Sequence, residues 1–205
     1  KIICYYKSIE CSEVGEIMEL LERYNTFHKK HFKDDKTLYN ELLNFGQHPK
    51  YLVISCSDSR VDPAILFNAK PGELFVVRNI ANWVPAYETL TDPCSVAAAL
   101  SFSVCHLNVE HIVILGHSHC AGVKTLDNPL NIERKVLEWT SIINKETDAE
   151  HTNVQNVTIN SWKNLFTYPW IAEKAQKKLL HCHAWCFCLE SGKLEIFDSS
   201  KNSFT

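Results

Sequence analysis

Val14, Ile17, Met18, Leu21, Tyr24 and His28 recur at helical spacing and predict an amphipathic helix over 14–31. After the turn signal Gly46-Gln47-His48-Pro49 comes a short, unbroken run of branched residues at 51–55, which predicts a strand covered on both faces. A second such strand falls at 74–77, an alanine-rich helix at 96–107 and a third strand at 111–115. Residues 132–143 read as a further helix. The polar stretch 144–160 lacks apolar periodicity and reads as a loop. Residues 162–180 read as helical around Pro169, and 184–189 and 194–197, joined across Ser191-Gly192, as a terminal hairpin. Strand, crossover, strand, helix, strand is the order of an α/β fold with a mainly parallel central β-sheet flanked by helices. In such a sheet ligands bind beyond the carboxyl ends of the strands. Cys56, His117 and Cys120 all fall there.

With 205 residues, 45% hydrophobic and 22% charged, the chain suits one domain spanning 1–205, with an N-terminal helical arm over about 12–45 and an α/β core over about 46–198. A formal net charge of -3 with dispersed basic residues gives no reason to expect nucleic acid or an anionic membrane as partner. Lys174, Lys177 and Lys178 sit among Ala172, Ala175 and Leu179 as a solvated helix face. No run reaches about 18 apolar residues, so a membrane span is not expected. The N-terminus carries no charged start, apolar stretch and cleavage site, and a cytoplasmic location follows unless a targeting segment has been trimmed from the start. Nine cysteines, an odd number without a compact secreted spacing, fit reduced thiols. Cys182, Cys186 and Cys188 raise a second metal site, but their alternation with Phe187 in a strand favours thiols used as small buried hydrophobes.

Two clusters carry chemistry: Cys56-Ser57-Asp58-Ser59-Arg60 after one strand and His117-Ser118-His119-Cys120 after another. Zinc takes thiolate sulfur at about 2.3 Å and imidazole nitrogen at about 2.0 Å, and a catalytic site leaves one position open. A His-x-x-Cys spacing is weak alone, and His117 and His119 compete for the role. Paired with a cysteine at a second strand end, it gains specificity.

Cys56-x-Asp58-x-Arg60 followed by Gly116-His117-Ser118-x-Cys120 resembles the signature of the β-class carbonic anhydrases. Residues 71–82, 109–118 and 166–170 and the stretch from His183-Ala184-Trp185 to Phe197 are similar to the same family, so the likeness covers roughly 35 to 198. It implies a lyase with one Zn2+ per subunit, held by Cys56, His117 and Cys120, that hydrates CO2 reversibly to bicarbonate and a proton by attack of zinc-bound hydroxide. Asp58 would accept a hydrogen bond from that hydroxide and Arg60 would hold Asp58; in a closed form of some members the matching aspartate ligates zinc instead. Gln47, nine residues before Cys56, matches a glutamine that plant-type members supply from the neighbouring subunit to CO2 or bicarbonate. Phe75, Ile80 and Phe102 match apolar pocket positions, and Gly122 adjoins the substrate site. A homodimer or tetramer with the N-terminal helix embracing its partner is implied.

Three departures stand out. Phe102 replaces a frequent tyrosine. Ala121 stands where the family usually has glycine, so a Cβ enters the ligand turn. Val53 replaces the tryptophan of the bicarbonate-inhibited subgroup, which with Gln47 points to the plant-type subgroup and the open site. Two other readings compete: hydrolysis of carbon disulfide or carbonyl sulfide at the same metal, and a non-catalytic module with structural zinc.

Overall fold

The branched residues at 111–115 are the middle of a sheet. In a computed structural model describing residues 11–90, 93–127, 132–146 and 153–205, they form β3 (His111–His117). On one side β3 pairs in parallel with β1 (Tyr51–Cys56), and β1 in turn with β2 (Leu74–Asn79). On the other side β3 pairs in parallel with β4 (His181–Phe187), followed by antiparallel β5 (Leu194–Asp198) and β6 (Ser203–Phe204). The sheet order is β2-β1-β3-β4-β5-β6. The mainly parallel α/β sheet and the terminal hairpin are as expected; β6 carried no signal in the sequence.

Burial on both faces explains the unbroken apolar runs. Leu52, Ile54, Ile112 and Ile114 point into a core with Val96, Leu100, Val104, Leu165, Tyr168 and Ile171. Val53, Val113 and Leu115 point to the opposite face, against Leu66, Phe67, Leu74 and Trp185. The helices that follow the strands are α3 (Pro63–Leu66), α4 (Ser95–Ser101), α5 (Ala121–Asp127), α6 (Arg134–Glu146), α7 (Val154–Leu165) and α8 (Pro169–Gln176). The helix expected at 96–107 splits, with α4 passing into a π-helical turn at Phe102–His106.

The loop expected over 144–160 is corrected at both ends: α6 runs on to Glu146, and α7 begins at Val154. Residues 147–152 lie outside the described residues. The signal was hidden because the inward face of α7 is part apolar, part hydroxyl: Val157, Thr158, Ser161 and Leu165 are all buried. Thr158 donates back to the Val154 carbonyl at 2.7 Å and Ser161 Oγ accepts from the Val84 N–H at 3.2 Å, so these small polar groups pack inward at little cost. Asn153 caps the helix, its side chain accepting from Asn156 N–H. The single helix expected at 162–180 is also two elements, with Pro169 opening α8 where its missing N–H is harmless.

The chain divides into two compact units, 1–47 and 48–205. The sheet and its helices form the second. The first holds α1 (Cys11–His28), a π-helical turn Lys29–Asp34 and α2 (Thr37–Phe45). There Phe32 stacks on Tyr39 with centroids 4.6 Å apart, and Phe27 packs on His31 at 4.8 Å.

Candidate metal centre

Parallel pairing sets the ends of β1 and β3 side by side, so Cys56 and His117 emerge next to one another. The turn after β3 then brings Cys120 back beneath them. One donor atom from each of the three residues lies within 4.8 Å of the other two, and this is the one such grouping of His, Cys, Asp or Glu among the described residues. All three are buried, His117 completely.

The donor set fits a metal ion. The two sulfurs are 3.7 Å apart; two thiolates about 2.3 Å from a tetrahedral ion would sit about 3.8 Å apart. His117 Nδ1 lies 2.8 Å from the Ser118 carbonyl. The tautomer that donates there leaves Nε2 with a lone pair, and Nε2 is buried with no hydrogen-bond partner among the described residues. Each sulfur also receives backbone N–H donors, Cys56 from Asp58 and Ala81, and Cys120 from Gly122 and Val123. Such donors stabilise thiolates. In the thiol pair the first proton leaves easily, because the Cys120 S–H donates to Cys56 and pulls its pKa down. The second is held by that same bond, by burial and by the neighbouring charge, which push Cys120 up. Burial opposes the His117 cation, yet the adjacent Cys56 sulfur, the Ser118 carbonyl and Asp58 together raise its pKa.

Asp58 stands beside this set, Oδ2 3.8 Å from His117 Nε2. Arg60 grips it in a fork, Nε to Oδ1 at 2.9 Å and Nη2 to Oδ2 at 2.7 Å, with the Arg60 N–H adding a third bond. These bonds hold the Asp58 carboxyl well below the usual carboxylate range.

Two further groups organise the site. Arg78, on β2, donates to the carbonyls of Cys56, Asp58 and Val61 and to the Asp62 carboxylate. Glu190, on the β4–β5 turn, accepts from Ser118 Oγ at 2.7 Å and meets His119 Nε2. The Ser118 hydroxyl, the Cys188 thiol and His119 bring the Glu190 carboxyl down to about 2. Arg78 sat unremarked within the family-like stretch 71–82, and nothing in the sequence marked Glu190.

The carbonic anhydrase family model matches residues 51–194. The chain belongs to the β-class carbonic anhydrases. It is 38% identical over 181 residues to the chloroplastic beta carbonic anhydrase 5 of Arabidopsis thaliana, covering 80% of this chain and 59% of that protein. Beta carbonic anhydrase 3 of the same plant is 30% identical over 210 residues, covering 94% and 81%. The solved β-carbonic anhydrase CcaA superposes with a TM-score of 0.83 at 28% identity, over 93% of this chain and 98% of that one. A tetrameric β-carbonic anhydrase from Sordaria macrospora superposes with a TM-score of 0.74 at 25% identity, covering 93% and 99%.

Not every residue expected in the carbonic anhydrase site gathers there. Ile80 does, since a Cβ built on Gly122 would come 2.6 Å from Ile80 Cγ2. Phe75 pairs with Leu52 in register while Cys56 pairs with Asn79. That places Phe75 about 13 Å down the strand from the metal ligands. It packs on Phe102, centroids 5.9 Å apart. Gln47 is the last residue of the unit 1–47. Ala121 is the exposed first residue of α5 and is not among the positive-φ residues, so its Cβ strains nothing. The left-handed residue of the turn is His119, at φ 54°.

Cys186 is buried and Cys182 half-buried, and burial pushes each thiol up to about 12. They behave as apolar filling. His111 and His183 meet ring to ring, Nδ1 to Nε2 at 3.2 Å.

Proposed function

We propose that this β-class carbonic anhydrase hydrates CO2 reversibly to bicarbonate and a proton at a zinc ion held by Cys56, His117 and Cys120. The observation that carries the choice of ligands is the convergence of two buried sulfurs and an unpaired imidazole nitrogen at adjacent strand ends. When bound, zinc supplies the Lewis acidity that ionises water near neutral pH. Cys56 and Cys120 would hold it as thiolates and His117 through its imidazole, a three-residue donor set of the kind that catalytic zinc sites use. Asp58 stays ionised and accepts a hydrogen bond from the reacting group, orienting it toward CO2. Arg60 keeps both Asp58 oxygens engaged, which supports the open site over one in which Asp58 ligates the metal. Ile80 and Gly122 form an apolar wall suited to an uncharged substrate.

The active enzyme is a homo-oligomer, dimer or tetramer. Phe75 lies too far along its strand to reach its own metal ligands and packs on Phe102, so their role as substrate wall requires a second copy; for Gln47 the likeness to plant-type members supports supply from the neighbouring subunit. Exposed Ile17, Met18, Leu20, Leu21 and Tyr24 on α1 support an arm that packs on a partner. Cys56, Cys94, Cys105, Cys120, Cys182, Cys186 and Cys188 are free thiols, which supports a reducing compartment such as the cytoplasm.

Stopped-flow CO2 hydration with a pH indicator, at a pH of about 8 where water on the metal should be ionised, tests the activity. Zinc-loaded protein should turn over rapidly and lose activity on chelation. Stoichiometric zinc without turnover would overturn the assignment.

A further inference from the structure

The metal ligands His117 and Cys120 are separated by two residues, and both of those residues are tied down by one carboxylate from a distant turn. We propose that Glu190 is a positioning residue for the metal centre: it clamps Ser118 and His119 so that the His117 and Cys120 donor atoms stay converged on Cys56. The inference rests on the reading that these three residues hold zinc.

The contacts form a closed set. Glu190 Oε2 accepts from Ser118 Oγ at 2.7 Å, and Oε1 meets His119 Nε2. Ser118 Oγ in turn accepts from the Leu189 N–H at 2.9 Å, and the Ser118 N–H donates to the Phe187 carbonyl at 2.9 Å. The β4–β5 turn therefore holds the ligand turn by backbone and side chain together. Cys188 Sγ donates to Glu190 Oε2 at 3.2 Å and steadies the carboxylate. On its other side, the His119 carbonyl accepts from Arg60 Nη2 at 3.3 Å, the same nitrogen that binds Asp58. Glu190 is thus linked through His119 and Arg60 to the carboxylate beside the metal position.

The turn has a reason to need holding. His119 sits at φ 54°, a left-handed backbone that only a few per cent of side-chain-bearing residues adopt, histidine more readily than most. Such conformations persist when the surroundings over-determine them. Glu190 is 56% exposed and water competes for it, so one of its bonds alone would count for little. Its effect comes from fixing two successive residues whose neighbours on either side are ligands. Groups that orient metal ligands in this way typically alter metal affinity by about 10–100-fold when removed.

The test uses Co2+ as probe on the full chain, with visible absorption, chelator competition and thermal unfolding of the metal-free protein. Wild type should bind one Co2+ per chain with thiolate-to-cobalt charge-transfer bands. Glu190→Ala should unfold at nearly the wild-type temperature without metal, yet bind Co2+ about 10–100-fold more weakly and with shifted bands. Glu190→Gln, whose amide oxygen can still accept from Ser118, should recover part of the loss. Ser118→Ala, which removes the same link from the other end, should resemble Glu190→Ala and serves if that variant does not fold. Wild-type affinity and unaltered bands in Glu190→Ala, or in Ser118→Ala where it replaces that variant, would overturn the positioning role while leaving the ligand set intact. Failure of wild type to bind Co2+ would overturn the ligand set, and the positioning role with it.

Discussion

Arg78→Lys tests whether the metal loop is held from β2. The guanidinium donates through Nε to Cys56 O at 3.0 Å, through Nη1 to Asp62 Oδ2 at 2.9 Å, and through Nη2 to Asp58 O at 2.7 Å and Val61 O at 3.2 Å. One planar fork thereby fixes the segment that carries a metal ligand, the oriented carboxylate and its arginine. An ammonium keeps the charge but is a single point with three donors, and cannot reach acceptors spread around a guanidinium. Lysine should lose about two of these bonds, each charge-assisted and contributing about 1.5–3 kcal/mol. Arg78 is 27% and Asp62 36% exposed, so water recovers part of the loss. The expected net cost is about 2–4 kcal/mol, which for a chain of this size lowers the unfolding midpoint by about 5–15 °C. Urea unfolding of metal-free protein measures the stability, and chelator competition measures zinc affinity, expected to fall about 10–100-fold. An unchanged urea midpoint together with unchanged zinc affinity would refute the reasoning.

Cys120→Ser should leave the purified protein without stoichiometric zinc and without CO2 hydration, whereas Asp58→Ala should keep the metal and lose most of the rate; metal analysis showing zinc retained in the first variant would sink the ligand set. Gly122→Ala places a Cβ 2.6 Å from Ile80 Cγ2 and 3.2 Å from the Ala81 nitrogen. Overpacking of this kind costs about 1–3 kcal/mol, while Ala121→Gly on the exposed start of α5 should cost within about 1 kcal/mol; urea midpoints that rank the two the other way would contradict the packing. Burial, then His111 and His181, lower the pKa of His183 below its ordinary 6.5. The unfolded chain then binds the extra proton more readily, so stability is intact above about pH 7 and falls as pH drops below the unfolded value. His183→Gln should flatten that slope between about pH 5 and 8, and equal slopes in wild type and variant would dismiss the effect. With thiols pushed up to about 12, Cys182 and Cys186 should resist a disulfide reagent at pH 8 until the protein unfolds. Cys105 is exposed and should react in the folded state, a ranking that peptide mapping of the labelled thiols can reverse or uphold.

How much of this was readable in the sequence depends on how local each determinant is. β1 and β3 announce themselves because both faces are buried, and their ligands follow within a few residues, so Cys56, His117, Cys120 and Asp58 could be placed at strand ends without knowing the tertiary structure. Arg60 stands two residues from Asp58, and the likeness to the family motif, rather than the spacing, assigned it to that carboxylate. Arg78 could not be found by spacing either, because three of its four acceptors are backbone carbonyls, which every residue carries. Glu190 lies 72 and 71 positions from the two residues it holds. The start of α7 escaped notice because Thr158 and Ser161 take buried positions that periodicity reserves for apolar residues.

Ala121 shows what the structure adds to a motif. In the sequence it is a defect in a glycine position beside a metal ligand; in the fold it opens a helix with its methyl in solvent. The close approach lies one residue on, at Gly122, where the chain passes against Ile80 and the Ala81 nitrogen that donates to Cys56. The strained backbone lies two residues back, at His119. Conformational demand and steric demand in this turn thus fall on different residues, neither of them Ala121. A glycine kept at 122 and a left-handed histidine pinned by Glu190 and Arg60 satisfy both, which is why the donor set can close around a metal with alanine after its last ligand.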